Sequence, residues 1–235
     1  MTLYRWDGSA LVECAEPGTA PDVVDSWLVR DGHVSHWHLH GERFGHPGFM
    51  HAVRGALLCE GLWFPRVEKH GDVLYLRLRP APPLRTETVL WIPPTPDPRR
   101  APRVKGPDLG VLGELRERAQ EYGAHDALLW TPDRLVPEGA NCAVAWWEDG
   151  ELFFPEHPGQ LRSVTAWATW EALTDTARRP ISVEELLTLP VWAGSALHGW
   201  TEVVGWVGPS GDRVPAVQEE TPLRPAEVNA LLRTR

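Results

Sequence analysis

Lysine is nearly missing from this 235-residue chain: of its 23 basic side chains only Lys69 and Lys105 are lysines, and the rest are arginine. Arginine stays protonated in proteins, so chemistry that needs an amine nucleophile, such as a Schiff base with a carbonyl, has two positions open to it. The plain alternative is that both lysines are solvated surface charges, the usual state of lysine. Cysteine is scarce as well. Cys14, Cys59 and Cys142 are odd in number, far apart and without CxxC spacing, which excludes a disulfide framework and fits a reducing compartment. A formal net charge of -9 with no basic run argues against nucleic acid or an anionic membrane as partner. Individual arginines can still converge on a small anionic ligand. The first thirty residues hold no apolar run of signal-peptide length, and no segment approaches the ~20 apolar residues that span a bilayer. A cytoplasmic protein is expected.

What is present is a 43% apolar chain, enough for a real core, with a pattern that changes along its length. The first third reads as strands Leu3 to Trp6 and Ala10 to Glu16 around Asp7-Gly8, then Val24 to Arg30 and His33 to Leu39 around Asp31-Gly32, since Asp-Gly between alternating segments signals a hairpin. A helical stretch from Gly41 to Cys59 follows, with Gly45 and the Pro47-Gly48 pair breaking its start. Strands Val73 to Leu78 and Thr88 to Ile92 come next, and Lys69 falls in a polar turn before them. From Pro93 to Pro107 six prolines and three arginines exclude regular structure and mark a linker. The second part opens with a helix capped by Asp108 and closed by Gly123, its Leu109, Leu112, Leu115, Ala119 and Tyr122 at helical spacing. Strands Ala127 to Trp130, Ala143 to Trp147 and Glu151 to Phe154 precede a helix from Val164 to Leu173 and another opened by the capping box Ser182-x-x-Glu185. Strands Val191 to Ala193 and Thr201 to Trp206 and a helix from Pro225 complete the chain. Without strict strand-helix alternation the class is α+β in two lobes: 1–95, a Pro/Arg-rich linker 96–107, and 108–235.

Four patches then stand in a particular order: Asp31-Gly-His-Val with His40-Gly-Glu-Arg43-Phe44; Val104-Lys105 before a helix; Val136-Pro-Glu138-Gly139 before a strand; and Ser163-Val164-Thr165 opening a helix. In this order and spacing the chain resembles the fold type IV family of pyridoxal phosphate enzymes, which includes branched-chain and D-amino-acid aminotransferases and aminodeoxychorismate lyase. The resemblance implies a small N-terminal α/β lobe, a larger C-terminal pseudo-barrel lobe, pyridoxal 5'-phosphate as cofactor and a homodimer. It makes Lys105 the Schiff-base lysine, which then serves as acid and base, and leaves Lys69 solvated. Glu138 becomes the carboxylate that pairs with the pyridine nitrogen and keeps it protonated, so that the ring withdraws electrons; taken alone it reads as a loop acid. Arg43 and the Val164-Thr165 helix start would hold the phosphate, with charge-assisted donors and backbone amides. Ser195 aligns with a later phosphate-side residue, and an ordinary loop serine is the other reading.

His36, His38 and His40 alternate, so on a strand they would share a face, as in some metal sites; the resemblance instead assigns His40 to the pattern that positions Arg43, and no metal is expected. The thirteen tryptophans suit core and interface. Two departures from the family pattern, Ala143 where asparagine is common (with Asn141 two positions earlier) and Ala166 where a larger residue is common, bear on substrate choice. The resemblance admits three functions. The first is a lyase that removes pyruvate from 4-amino-4-deoxychorismate to give 4-aminobenzoate, as in folate biosynthesis, favoured by the compact length. The second is a class IV aminotransferase acting on a branched-chain or other amino acid, and the third a cofactor-binding member without turnover.

Overall fold

Residues 1–57 and 60–233 are described by the computed structural model. The described residues form two compact units, Met1–Leu84 with Val104–Pro107, and Arg85–Arg103 with 108–233.

In the first unit, β1 (Thr2–Trp6) and β2 (Leu11–Glu13) form the expected hairpin. The Asp7 carboxylate accepts the N–H groups of Ser9 and Ala10, each at 2.8 Å, and closes the turn. The anticipated strand from Val24 to Arg30 is two strands, β3 (Val23–Ser26) and β4 (Val29–Arg30), parted where Trp27 turns fully into the core. Asp31 (φ 49°) and Gly32 (φ 78°) make the hairpin turn, and Arg30 and His33 exchange two 2.9 Å bonds across it. The strand expected from His33 to Leu39 does not form. His36 takes a left-handed conformation and α1 (Trp37–Phe44) begins directly after it. Polar residues two apart also satisfy one turn of helix, so His36 and His40 lie buried while His38 is exposed, and the shared histidine face is lost. The helix stops at Gly45 (φ 79°), and Pro47 opens α2 (Pro47–Ala56) at its first turn, where a missing N–H costs nothing. Thus Pro47-Gly48 starts a second helix; the anticipated end at Cys59 lies outside the described residues.

The unit is completed by β5 (Leu62–Trp63), β6 (Arg66–His70) and β7 (Val73–Leu78). Strand β6 was not anticipated, because buried Glu68 and His70 disguise its alternation. Lys69 therefore sits in a strand, opposite Val23 and Leu74, and not in a polar turn. The sheet runs β2-β1-β7-β6-β3, all antiparallel. Trp27, Phe44, Phe49, Met50, Val53 and Leu76 build its core.

In the second unit β8 (Glu87–Trp91) leads into the proline-rich segment, which is irregular as expected. Helix α3 (Leu109–Glu121) follows. Asp108 stands at its N-cap position but does not cap it. Its carboxylate accepts the N–H groups of Arg100 (3.1 Å) and Ala101 (2.9 Å) and so closes the loop 100–108. At the other end Gly123 (φ 70°) bonds back to Gln120 and Ala124 to Ala119, the paired bonds of a Schellman end. Of the next expected strand, Ala127 to Trp130, Ala127 pairs together with Asp126 as β9 and Leu128 makes an isolated bridge to Gly139.

The remaining elements are β10 (Ala143–Glu148), β11 (Glu151–Pro155), α4 (Val164–Ala172), β12 (Thr176–Arg179), α5 (Val183–Leu186), β13 (Val191–Ser195), β14 (Gly199–Val207), β15 (Arg213–Pro215) and α6 (Pro225–Arg233). Asp149 and Gly150, both at positive φ, turn β10 into β11. The eight-stranded sheet runs β12-β11-β10-β13-β14-β8-β9, with β15 on β14. Pairs β11/β12, β14/β8 and β8/β9 are parallel, the others antiparallel. Strands and helices are mixed without βαβ regularity, an α+β architecture. Trp146, Val144, Leu90 and Trp206 fill one core cluster, and Trp91, Leu129 and Val207 another.

Candidate active site

In the first unit, strand β3 holds both residues assigned a role there. The Val24 N–H donates to the Lys105 carbonyl at 2.7 Å, so the irregular loop 104–107 docks along β3 as an added strand would. Gly106 makes that approach possible: a Cβ there would press on the Asp22 carbonyl, with Asp22 C and Val23 Cα each 2.8 Å away. The next residue, Asp25, is fully buried. Its carboxylate accepts from Arg43 Nε at 3.1 Å, from Arg43 Nη2, and from His40 Nδ1 at 3.1 Å. Burial raises the carboxyl's proton affinity, but the charges and hydrogen bonds of His40 and Arg43 outweigh it and hold the group well below the carboxylate range. Arg43 is thus fixed by a buried fork-to-fork pair, and His40 supports the same acid. The sequence offered one signal, an isolated acid inside Val23-Val24-Asp25-Ser26-Trp27.

Arg79 follows β7 and was also passed over. Its guanidinium lies 4.9 Å from the Phe64 ring centre, with Nε donating to the Phe64 carbonyl at 2.7 Å. Among the described residues it pairs with no carboxylate. Burial, with Arg66 and Arg77 nearby, brings its pKa down to about 10. A half-buried guanidinium of this kind has the donors and charge to receive an anion.

In the second unit the turn 138–142 carries Glu138, which is 4% exposed. Glu138 Oε1 accepts from Arg99 Nη1 at 2.7 Å and from the Leu161 N–H at 2.8 Å. Asp126 braces the turn behind it, accepting from the Asn141 N–H (2.9 Å) and side-chain amide (3.2 Å). Asn141, displaced from the usual asparagine position, is therefore a structural residue. Gly139 has no room for a Cβ beside Cys142 Sγ, and the Ala127 carbonyl would be 3.2 Å away. Burial, with Asp126 next to it, pushes the Cys142 thiol far up, so it is neutral.

The loop that touches Glu138 also leads into α4. Ser163 accepts from Ala166 N–H through Oγ at 3.3 Å and caps the helix. The N–H groups of Val164 and Thr165 and the Thr165 hydroxyl meet no protein acceptor among the described residues. A helix start with two free amides and a hydroxyl suits a phosphate. At the far end of α4 the Trp200 indole N–H donates to Thr169 Oγ1 at 2.7 Å, which ties the helix to β14. Ser195 ends β13, and its Oγ accepts from the His198 N–H at 3.1 Å, so the hydroxyl closes a turn and keeps a proton to donate. His198 is held neutral: burial, Arg85 and Arg116 bring its pKa to about 4. No group of three or more His, Cys, Asp or Glu among the described residues is arranged to hold a metal ion, and none of the described helices is long and apolar enough to cross a membrane.

The structure thus brings Arg43 and Lys105 onto one strand, and Glu138, Val164 and Thr165 around one loop. Against known families, the model for amino-transferase class IV matches residues 64–206, more than half of the sequence. The chain belongs to the amino-transferase class IV family. The class IV fold extends over nearly the whole chain in solved structures. The fold IV-transaminase CpuTA1 from Curtobacterium pusillum is 17% identical, with a TM-score of 0.76 over 99% of this chain and 97% of that one. A hypothetical aminotransferase from Mycobacterium tuberculosis in its PLP-bound form is 20% identical, with a TM-score of 0.77 over 100% and 98%. A protein named "Putative 4-amino-4-deoxychorismate lyase" from Legionella pneumophila is 14% identical, with a TM-score of 0.74 over 92% and 91%. No curated protein matches the sequence.

Proposed function

We propose that the protein is a pyridoxal phosphate-dependent class IV enzyme acting on a small anionic amine, and that its reaction is the release of pyruvate from 4-amino-4-deoxychorismate to leave 4-aminobenzoate. The observation that carries the cofactor assignment is Glu138, a buried carboxylate that accepts from Arg99 and from the Leu161 N–H, on a turn next to the loop that leads into the unfilled amides of α4. When bound, the cofactor supplies an electron-withdrawing ring that stabilises negative charge on the substrate carbon beside nitrogen.

The chain's own groups supply the rest. Lys105 Nζ would be the attachment point and the base for the proton on that carbon. Glu138 would hold the proton of the ring nitrogen. Arg43, kept rigid by Asp25, and the Val164 and Thr165 amides bind the phosphate, with the Ser195 hydroxyl as a further donor. Arg79 receives a substrate carboxylate.

An aminotransferase uses the same groups, and length does not separate the two: the chain covers 98% of the Mycobacterium protein named an aminotransferase. The deciding experiment is direct. Protein reconstituted with pyridoxal phosphate should show the visible band of a lysine-bound cofactor, lost in Lys105→Ala, and should convert 4-amino-4-deoxychorismate to 4-aminobenzoate and pyruvate. A colourless protein that ignores the cofactor would sink the whole reading. A coloured one that releases no pyruvate but passes its amine to a keto acid would be a transaminase.

A further inference from the structure

Three neighbouring strands of the second unit run parallel, in the order β14-β8-β9, so their first residues lie at one end of the sheet. Each is led in by a basic side chain. His198 directly precedes β14, Arg85 stands two residues before β8, and His125 directly precedes β9. Arg116, exposed on α3, belongs to the same group, since its charge and that of Arg85 both reach His198.

The group is built to donate. Arg85 Nε is pinned by an ordered chain of hydroxyls: Thr201 donates to the Ala193 carbonyl at 2.9 Å, Thr88 to Thr201 Oγ1 at 2.7 Å, and Arg85 Nε to Thr88 Oγ1 at 3.2 Å. Both threonines are fully buried, so the half-buried guanidinium is held in place while its two outer nitrogens meet no acceptor among the described residues. The imidazoles each spend Nδ1 as an acceptor, His198 from the Arg85 N–H at 3.4 Å and His125 from the Val89 N–H at 2.8 Å. A neutral ring then keeps its proton on Nε2, and neither Nε2 has an acceptor among the described residues.

The charges agree with the donors. Burial, Arg85, Arg116 and His125 bring the pKa of His198 to about 4, and burial with Arg85 lowers that of His125, a positive surrounding that an anion would relieve. Two acids lie within reach. Asp126 gives its carboxylate to the Ala127 N–H and to both amides of Asn141, and Glu87 is exposed; among the described residues neither forms an ion pair with Arg85.

We propose that Arg85, Arg116, His125 and His198 form a binding site for a phosphate-type dianion, made of none of the residues assigned to the cofactor. The guanidinium fork takes two oxygens and the Nε2–H groups serve the third, a set that a two-oxygen carboxylate cannot use in full. The ligand is free phosphate or the phosphate group of a small monoester. One bond leads toward the cofactor side, from the His198 N–H to Ser195 Oγ, so the test keeps the cofactor seat filled.

Protein saturated with pyridoxal phosphate and freed of other phosphate is titrated calorimetrically with inorganic phosphate, glycerol phosphate and acetate, at an ionic strength held constant with chloride. A phosphate-type ligand is expected to bind with defined stoichiometry and to shift the ring-proton NMR signal of His198, identified by its loss in His198→Gln. Arg85→Gln should weaken binding roughly tenfold or more. Should that variant not fold, Arg116→Gln, a change at an exposed position, is expected to weaken binding severalfold. Tighter binding of glycerol phosphate supports the site and makes its ligand a monoester; tighter binding of inorganic phosphate supports it and makes the ligand the free ion. No binding once the cofactor is in place, acetate bound as tightly as phosphate, or affinity unchanged in the folded variants overturns the proposal.

Discussion

Replacing Gly106 by alanine places one methyl group in the seam between the Lys105 loop and β3, where there is no space for it. The new carbon would overlap backbone on three sides, the Asp22 oxygen and carbon and the Val23 Cα, and backbone in a paired strand cannot swing away as a side-chain tip can. Forced overpacking of this sort costs about 1–3 kcal/mol. Relief requires the loop to lift, which breaks the 2.7 Å bond from Val24 N–H to the Lys105 carbonyl, about 1 kcal/mol more. The sum is about 2–4 kcal/mol, a fall in Tm of roughly 4–16 °C for a chain of this size. Thermal unfolding followed by circular dichroism measures it, and borohydride fixation followed by peptide mass analysis reads how much cofactor Lys105 still captures. A matched control is Gly113→Ala in α3, where nothing lies within 4 Å of the added carbon; it should stabilise by about 0.5–1 kcal/mol. If Gly106→Ala melts within about 0.5 kcal/mol of wild type, the loop is not held as argued and the account of Lys105 placement is wrong.

Asp25→Asn keeps the shape but strands Arg43 and His40 beside a neutral group; a stability loss of about 3 kcal/mol and weaker cofactor retention are expected, by denaturant titration and equilibrium dialysis. Glu68, bound by Arg66, Arg77 and His70, has its pKa brought down from 4.5 to about 2, burial opposing and the hydrogen bonds of Arg77 and His70 prevailing. A lowered acid pKa gives stability that is whole above the unfolded value and is lost as pH falls toward 2. Acid unfolding should therefore cost on the order of 2 kcal/mol from this group after solvent screening, and Glu68→Gln should flatten the wild-type slope below pH 4.5. His198 works in a higher window: neutral when folded to about pH 4, it lowers stability as pH falls from ~6.5, a slope that His198→Gln should remove. Gly139→Ala, which drives a methyl group onto Cys142 Sγ, should displace Glu138 and cost about 1–3 kcal/mol; an unchanged nitrogen NMR shift of the bound cofactor's ring in that variant would show that the turn does not position the acid.

Much of the chain was legible because its signals are local. Val73–Leu78 follows its alternation to the residue, the Asp149-Gly150 turn needs only its own two positive φ values, and Ser163 and Gly123 end their helices by bonds within a few residues. The order of Arg43, Lys105, Glu138 and Thr165 likewise survives as a linear pattern, and so points to a family before any coordinate is known. What failed were places where a local pattern had two solutions. Alternating histidines from 36 to 40 fit a strand or a helical turn, and only the left-handed turn at His36 chose the helix. Strand β6 was hidden because its inward positions are charged, and those charges are tolerable only next to Arg77 and Glu16 from elsewhere in the unit. Asp108 looked like a cap and instead closes a loop eight residues back.

The sequence by itself determined the chemistry in reserve: two lysines, of which one stands between a proline-rich loop and a helix, an acid before a strand, and an arginine in a histidine-led pattern. Tertiary structure alone decided what makes those groups usable. Asp25 reaches Arg43 across 18 residues and Arg99 reaches Glu138 across 39, and the cost of burying a charge makes each of these pairings obligatory once the fold has closed. No periodicity or spacing encodes such a partnership, because the free energy that selects it arises only when water has been removed from both groups.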